Sequence, residues 1–344
     1  MTVKKWIRET IMFVMIQKLY IGNLIFNSVS DVTVSSSLYE PVDTMTIKLP
    51  LDRSFDRDKI KVGDSVEWEA GYEKYGLFHE FKGEITEISP KTSDSKPLEI
   101  ICKDMMYKAQ KVIFKKNTYR KTLENVLGSV ASSIGIPSEK VKIIPDSIKN
   151  KRVSIYSSNK SIRWLLTSLK RYGYFAFFRS GKLYCVSITE LSEFPEPSVF
   201  KIGFNVIEDK LINRYKTDIQ VIVKSYNEKS GKIYEAKYPT KSKGESKEYV
   251  IDGLTNSEAR KRAKDLYIEI AGDGMRGSFI TFGYPNVSHS EIIQIMDPFN
   301  QDRNKEIFIG KVVKTFNAER AQFRQEIFPD IINFKKDVKK KKRR

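Results

Sequence analysis

Between Lys61 and Asp104 the sequence alternates apolar and polar residues with a period of two, and no other feature limits its fold as tightly. Val66, Trp68, Ala70 and Tyr72 interleave with Glu67, Glu69 and Gly71, while Leu98, Ile100 and Cys102 interleave with Glu99, Ile101 and Lys103. Successive side chains of extended backbone point to opposite sides, so such alternation marks half-buried strands. Val62-Gly63-Asp64-Ser65 turns into the first strand, and Phe81-Lys82-Gly83-Glu84-Ile85-Thr86-Glu87-Ile88 lies between the two. The stretch predicts a three-strand antiparallel meander.

A fainter copy stands near the other end. Val287-Ser288-His289-Ser290 opens an apolar run from Ile292 to Met296, and after a polar loop comes Phe308-Ile309-Gly310-Lys311-Val312. The shared skeleton of turn, strand, loop and Phe-x-Gly-x-Ile/Val predicts two versions of one small antiparallel barrel. Upstream of the first copy, Val32 and Val34 alternate with Thr33 and Ser35, and Met45, Ile47 and Leu49 alternate with Thr44, Thr46 and Lys48. Pro50 ends that strand by removing a ladder donor. The first barrel is therefore expected over 17–104, with five or six strands whose edges are hidden by closure or sandwiching.

The period then changes. Leu123, Val126, Leu127, Val130 and Ile134 share one helical face, stopped by Gly135 and Pro137, and Ile162, Leu165, Leu166, Leu169 and Tyr172 repeat the spacing. Ser161 or Asn159 caps the second helix and Gly173 ends it. Tyr174 to Phe178 and Lys182 to Val186 flank Ser180-Gly181, a hairpin signal. A small α+β helix-hairpin domain is expected over 105–198, closed by Pro195 and Pro197. Strand character returns with Ile219, Val221 and Val223, and Lys237 to Lys247 is expected as an exposed loop. Thr255-Asn256-Ser257-Glu258 matches a capping box for a helix over 256–271, with Ala259, Ala263, Leu266, Tyr267 and Ile270 on one face and Arg260, Lys261, Arg262 and Lys264 mostly facing out. Ile280, Phe282 and Tyr284 begin the last strands of a second barrel domain over 199–334. The fold class is thus mainly β with an α+β middle domain: two related small antiparallel β-barrel domains plus the helix-hairpin domain.

With 344 residues, 40% hydrophobic and 12% aromatic, the chain suits about two folded domains with real cores. The formal charge is +18, of which Lys335 to Arg344 supply +7, and this tail is expected to be a solvated basic arm. Residues 1–16 form an expected N-terminal extension. Its apolar run, Ile11 to Ile16, is too short for a secretory core or a membrane span, so no targeting signal or membrane anchor is expected. Cys102 and Cys185 lie in strand patterns without metal-like spacing and are expected to be reduced core residues.

Reactive chemistry is hard to find. Gly272 to Gly277 satisfies G-x-G-x-x-G, but a dinucleotide site needs strand before and helix after, and here the order is reversed. His79 and His289 sit in no zinc-binding frame, and His289 is expected as a polar turn residue. No nucleophile elbow or Walker loop occurs. Asp64, Glu67, Glu69, Glu80 and Glu84 lie on or beside the polar faces of the meander, where solvated or interface roles outweigh a catalytic dyad. Asn159-Lys160-Ser161 and Asn286-Val287-Ser288 match a glycosylation sequon, which has no force without a signal peptide. No catalytic, cofactor or metal residue is assigned, and an enzyme is not expected.

The ordered motifs resemble those of phage tail baseplate hub proteins of the late-control protein D family, related to the hub part of VgrG-type spike proteins. The likeness is carried by Met45 to Pro50, Val62-Gly63-Asp64-Ser65, Gly71-Tyr72, Phe81-x-Gly83-x-Ile85, the Leu98 to Asp104 ending, Gly173-Tyr174, the capped helix with Ala259 and Ala263, Gly283-Tyr284-Pro285, Asp297-Pro298, and Phe308-x-Gly310-x-Val312 with Phe316. It spans about residues 17–330 and departs where the family has a small glycine turn, here Ser288-His289-Ser290. The resemblance implies a homotrimer in the virion tail baseplate, assembled in the bacterial host cytoplasm. Two barrels per chain would form a ring adapting a six-fold tail tube to a three-fold central spike. Tube, spike and tape measure proteins are the implied partners, of a phage or a related contractile injection system. A peptidoglycan-degrading tail lysin and a basic nucleic-acid-binding protein are the alternatives, with nucleic-acid contact left open.

Overall fold

Alternation, rather than helical spacing, shapes most of the molecule. The computed structural model describes residues 14–50, 59–89, 97–115, 118–156, 159–189, 196–227, 231–272 and 274–333. The expected extension before residue 14, the Pro195 end of the middle domain and the tail at 335–344 lie outside them.

The first part supplies β1 (Met15–Ile21), β2 (Leu24–Phe26), β3 (Asp31–Ser37), β4 (Thr44–Leu49), β5 (Ser65–Tyr72), β6 (Gly76–Ile88) and β7 (Leu98–Asp104). The middle holds α1 (Met105–Lys111), β8 (Ile113–Phe114), β9 (Thr118–Thr122), α2 (Leu123–Ser133), β10 (Val141–Ile144), β11 (Arg152–Ile155), β12 (Lys160–Ser161), α3 (Ile162–Ser168), β13 (Tyr174–Arg179) and β14 (Lys182–Ser187). The last part holds β15 (Ser198–Lys201), β16 (Val206–Asp209), β17 (Ile212–Arg214), β18 (Ile219–Asn227), β19 (Lys232–Tyr238), β20 (Glu245–Val250) and α4 (Asn256–Ala271). It ends with β21 (Gly274–Arg276), β22 (Phe279–Phe282), β23 (Ile292–Met296), β24 (Lys305–Asn317) and β25 (Gln322–Asn333). The chain is mainly β, as its patterning predicts.

Thirteen strands form one sheet in the order β16-β22-β25-β24-β3-β4-β7-β6-β5-β1-β2, with β23 beside β24 and β15 beside β23. The path β3-β4-β7-β6-β5-β1 is repeated, strand for strand and in the same chain order, by β16-β22-β25-β24-β23-β15. The copies differ in three ways. β1 runs antiparallel to β5 whereas β15 runs parallel to β23, β2 has no counterpart, and β17 to β21 with α4 are inserted between β16 and β22. β24 joins the two copies by pairing with β3 from Lys311↔Ser37 to Asn317↔Asp31. Among the described residues, the strand path runs from β16 to β2 without a closing pair.

The glycine shared by the two copies has different uses. A Cβ on Gly83 would stand 2.2 Å from the Lys103 carbonyl oxygen, so β6 and β7 pack there only without a side chain. At Gly310 the nearest atom would be a Tyr39 ring carbon at 3.4 Å, an ordinary tight contact.

Aromatic side chains of the second copy complete the core of the first, while the second keeps a core of its own around Phe200, Phe279 and Ile295. Trp68 of β5 meets Phe316 and Phe323 edge-to-face at centroid distances of 6.3 and 6.2 Å, and all three are buried. The Tyr72 hydroxyl donates to the Phe323 carbonyl at 3.0 Å and accepts from the Gly283 amide at 3.2 Å, satisfying a polar tip inside the core. Burial of such side chains contributes about 1.5–3 kcal/mol each.

The middle segment packs α1, α2 and α3 around Leu123, Leu127, Val130, Leu165, Leu166 and Leu183. Thr122 and Ser161 cap α2 and α3, and Gly173 ends the following turn at φ 84°. Helix α1 carries no advance signal, being seven residues long, and begins where the Asp104 carboxylate accepts from the Met106 amide. Helix α4 opens with the complete capping box of Thr255 and Glu258 and covers the β18–β20 sheet through Ala259, Ala263, Leu266 and Tyr267.

Helix α4 departs from expectation at one position. Arg262 does not face solvent: at 5% exposure it donates to the carbonyls of Arg171 (2.9 Å) and Lys170 (3.1 Å) and pairs with Glu269 at 2.6 Å. It thereby adds a charged donor to carbonyls at a helix end, where a cation is favoured. In β22 Phe279 and Thr281 face inward, Thr281 donating to the Asn205 carbonyl at 2.6 Å, while the Phe282 ring lies beneath Arg324.

Candidate functional site

The β3–β4 loop, β6, the β13–β14 hairpin and the turn before β23 converge on a cleft at the seam between the copies. The cleft encloses a cavity of ≈ 140 Å³ whose lining includes Asp43, Glu80, Asp104, Lys108, Arg179 and Lys314. All of these charged groups but Asp43, which comes from the β3–β4 loop, arrive on strands or a helix or at their ends.

Its centre is a buried ion pair between Lys314 of β24 and Glu80 of β6, with side chains only 6% and 4% exposed. Asn286 bridges them, donating its amide to Glu80 and accepting from Lys314 Nζ at 3.1 Å. Glu80 is thus not a solvated residue of a polar face but the anchor of the seam. Beside it, the Gln325 amide donates to the Pro285 carbonyl at 2.5 Å, holding the loop that carries Asn286.

Arg179, at the tip of β13, donates to the His289 carbonyl and to Ser290 Oγ (3.2 Å) and stands 3.6 Å from Glu291. Its guanidinium also lies over the Phe177 ring at 5.0 Å. The hairpin is in this way clamped to the turn before β23. Ser290 adopts φ 63°, so the glycine-type turn geometry is kept by a serine.

His289 is fully buried, edge-on to Phe177 at 4.5 Å, rather than exposed in a polar turn. Both its ring nitrogens lack a hydrogen-bond partner among the described residues. Burial, reinforced by the Arg179 charge, holds its pKa well below the usual imidazole value. Nε2 lies 4.0 Å from Asp43 Oδ2, a distance that suits an ion pair only if both are charged. Burial works against that, pushing the Asp43 carboxyl up to about 7 despite the Ser37 amide at 3.2 Å and nearby Arg179. Asp104 is raised well above the carboxylate range by burial and then by Asp43, whose backbone carbonyl accepts from the Asp104 amide at 3.1 Å. Burial thus favours the uncharged forms of the two aspartates and the imidazole in this corner.

The other sequence candidates fall elsewhere. Gly272 ends α4 and Gly277, at φ 99°, turns so closely on the Lys210 carbonyl that a side chain would collide; Asp273 is outside the described residues. His79 Nε2 is 3.7 Å from Glu67, which also pairs with Lys82. Asp64 accepts from the Lys61 amide at 2.8 Å in the turn before β5, Glu69 pairs across the ladder from His79, and Glu84 meets Lys108 at 2.9 Å. Asn286 of the second sequon is engaged with Glu80, and Asn159 of the first sits at φ 59° before β12. Cys102 and Cys185 are buried free thiols, pushed up to about 12 by burial. No group of three or more potential metal ligands occurs among the described residues, and no helix there is long and apolar enough to cross a membrane. Asp43 and Asp104 had no sequence signal, since their proximity depends on β4 pairing with β7.

No protein-family model matches the sequence, and no curated protein matches it. Solved structures do. A tail protein from Neisseria meningitidis superposes with a TM-score of 0.67 at 12% identity, covering 92% of this chain and 97% of that one. The 43 kDa tail protein of prophage MuSo2 from Shewanella oneidensis gives 0.63 at 14% identity, covering 92% and 98%. An Escherichia coli component of the type VI secretion system, described as similar to the T4 bacteriophage tail proteins gp27 and gp5, gives 0.61 at 11% identity, covering 93% and 77%. The chain has the fold shared by phage tail proteins and type VI spike components.

Proposed function

We propose that this protein is a structural baseplate hub of a phage tail or a related contractile injection machine, without enzymatic activity. Three copies form a ring that adapts a six-fold tail tube to a three-fold spike. The observation that carries the reading is the strand-for-strand repeat: two copies per chain, already joined by β24 on β3, supply six near-equivalent spokes from three chains. The tail-protein fold of its structural neighbours supports a place in the virion tail, assembled in the host cytoplasm, with tube, spike and tape measure proteins as partners. The cations at the centre of the seam, Lys314 and Arg179, are paired with Glu80 and Glu291, which does not favour a nucleic-acid site there.

Repetition also indicates how the ring closes. β16 is the counterpart of β3, and among the described residues its outer edge carries only a single bridge from Val206 to Ile202. The counterpart of the β24 segment that fills β3 is the end of β6 beyond Ile85. Ring closure therefore sets the end of β6 of one chain against β16 of the next, giving both of these edges a partner. Ile207, 47% exposed on β16, tests this. The wild type is expected to sediment as a trimer at micromolar concentration, and Ile207→Lys as a folded monomer. A wild type that stays monomeric, and forms no ring when tube protein is added, overturns the proposal.

A further inference from the structure

The positive charge of this chain is segregated. Residues 105–189 hold seventeen lysines and arginines against three acids, Glu124, Glu139 and Asp146, a net +14. Residues 1–104 sum to −3, residues 190–334 to zero and residues 335–344 to +7. A folded segment so charged repels itself, a cost that dissolved salt screens and that a partner of opposite sign offsets.

Part of this charge is gathered on one face around an apolar centre. β8 pairs with β12, setting Ile113 opposite Ser161 and Phe114 opposite Lys160. The Val112 carbonyl accepts from the Ile162 amide at 2.9 Å, and Arg163 of α3 donates to Gln110 of α1. Lys111, Lys115, Lys160 and Arg163 are thus brought around Ile113, which is 50% exposed. Glu84, shared between Lys108 and Lys111, is the carboxylate paired with this face among the described residues.

We propose that this face docks an acidic protein segment carrying an apolar side chain that seats on Ile113. The apolar centre and charged rim are the anatomy of a protein interface, where a buried anchor is ringed by polar contacts. A phosphate backbone has no use for Ile113. The neighbouring rings are not free for bases either: Lys111 and Lys103 lie over Tyr107 at 4.5 and 5.1 Å, and Lys160 lies over Trp164 at 5.7 Å. Sequence-tolerant nucleic-acid binding relies on open aromatic faces beside the charges. The inference does not rest on the ring proposal, because a single chain presents the whole face.

Fluorescence anisotropy on the full-length protein tests it, with three labelled probes: an acidic peptide of about sixteen residues with two leucines, the same peptide with serines for leucines, and an oligothymidylate of equal charge. The leucine peptide should bind about tenfold or more tightly than either other probe. Lys111→Glu/Lys115→Glu/Lys160→Glu should weaken it at least about tenfold, and Ile113→Ser several-fold for the leucine peptide alone. Lys140→Glu/Lys142→Glu, in and before β10 on the α2 side, changes net charge without touching the face and should shift binding by less than about twofold. Thermal melts of each variant confirm folding. The proposal is overturned if the oligothymidylate binds as tightly as the leucine peptide, if the Lys140/Lys142 variant weakens binding as much as the face variant, or if the leucine peptide does not bind.

Discussion

Replacing Lys314 by Met removes the ammonium group from the seam while keeping most of the aliphatic stem. Glu80 is then left with the Asn286 amide as partner in a site where its side chain is 4% exposed. Leaving one member of a buried ion pair uncompensated costs about 3–5 kcal/mol, whereas an exposed pair is worth about 0–1 kcal/mol. Lys314→Met should therefore lose about 3–5 kcal/mol, and Lys314→Met/Glu80→Leu should recover to within about 1 kcal/mol of wild type. The double variant should thus be at least about 2 kcal/mol more stable than the single one, the non-additivity expected of residues in contact. Urea denaturation followed by tryptophan fluorescence suits the measurement, since Trp68 packs on Phe316 and Phe323 across the same seam. A loss below about 1 kcal/mol in the single variant would mean that water reaches the pair, and the account of β6, β24 and residue 286 as a closed joint would fail.

The neutral corner yields an opposed pair of pH effects. The Asp43 pKa is raised to about 7, so its contribution to stability is fully present below 3.8 and lost as pH rises through about 7. Asp43→Asn should flatten that decline, by about 1–3 kcal/mol because the side chain retains 16% exposure, as read from melts between pH 4 and 8. His289 is depressed, so its contribution is present above 6.5 and lost as pH falls, and His289→Gln should soften the acid limb of the same profile. Gly83→Ala places a Cβ 2.2 Å from the Lys103 carbonyl oxygen and should cost about 1–3 kcal/mol with β6 and β7 forced apart, visible as faster amide exchange in both strands. Arg262→Ala strips donors from the Lys170 and Arg171 carbonyls and the partner from Glu269, and should lower stability by about 2–4 kcal/mol, measured by urea titration.

The parts that sequence reasoning reaches are those whose physics is local. Alternation located the β5–β7 meander and its later copy, and caps at Ser161 and Thr255 and the Ser180-Gly181 turn set element ends to within a residue or two. The joining of the copies was out of reach, because β3 meets β24 across some 280 residues and neither strand advertises its neighbour. Glu80 resembles its solvated neighbours Glu67 and Glu69 in sequence, and only the pairing that brings Lys314 opposite distinguishes it. Arg262 was hidden for a related reason: a helix with charges on three consecutive outward positions suggests solvation until another domain's carbonyls are placed against one of them. The charge segregation was legible throughout, since counting acids between 105 and 189 requires no structure.

Completion of the first core by Phe316 and Phe323 has a consequence for biosynthesis. While the ribosome is still translating residues beyond the middle domain, the emerged part of the chain holds Trp68 without its aromatic neighbours and β3 with one side unmated. Only when the last strands leave the exit tunnel can the opening ones be sealed, so a prematurely terminated polypeptide keeps a sticky, unfinished edge that marks it for chaperones and proteases before it can be built into anything larger.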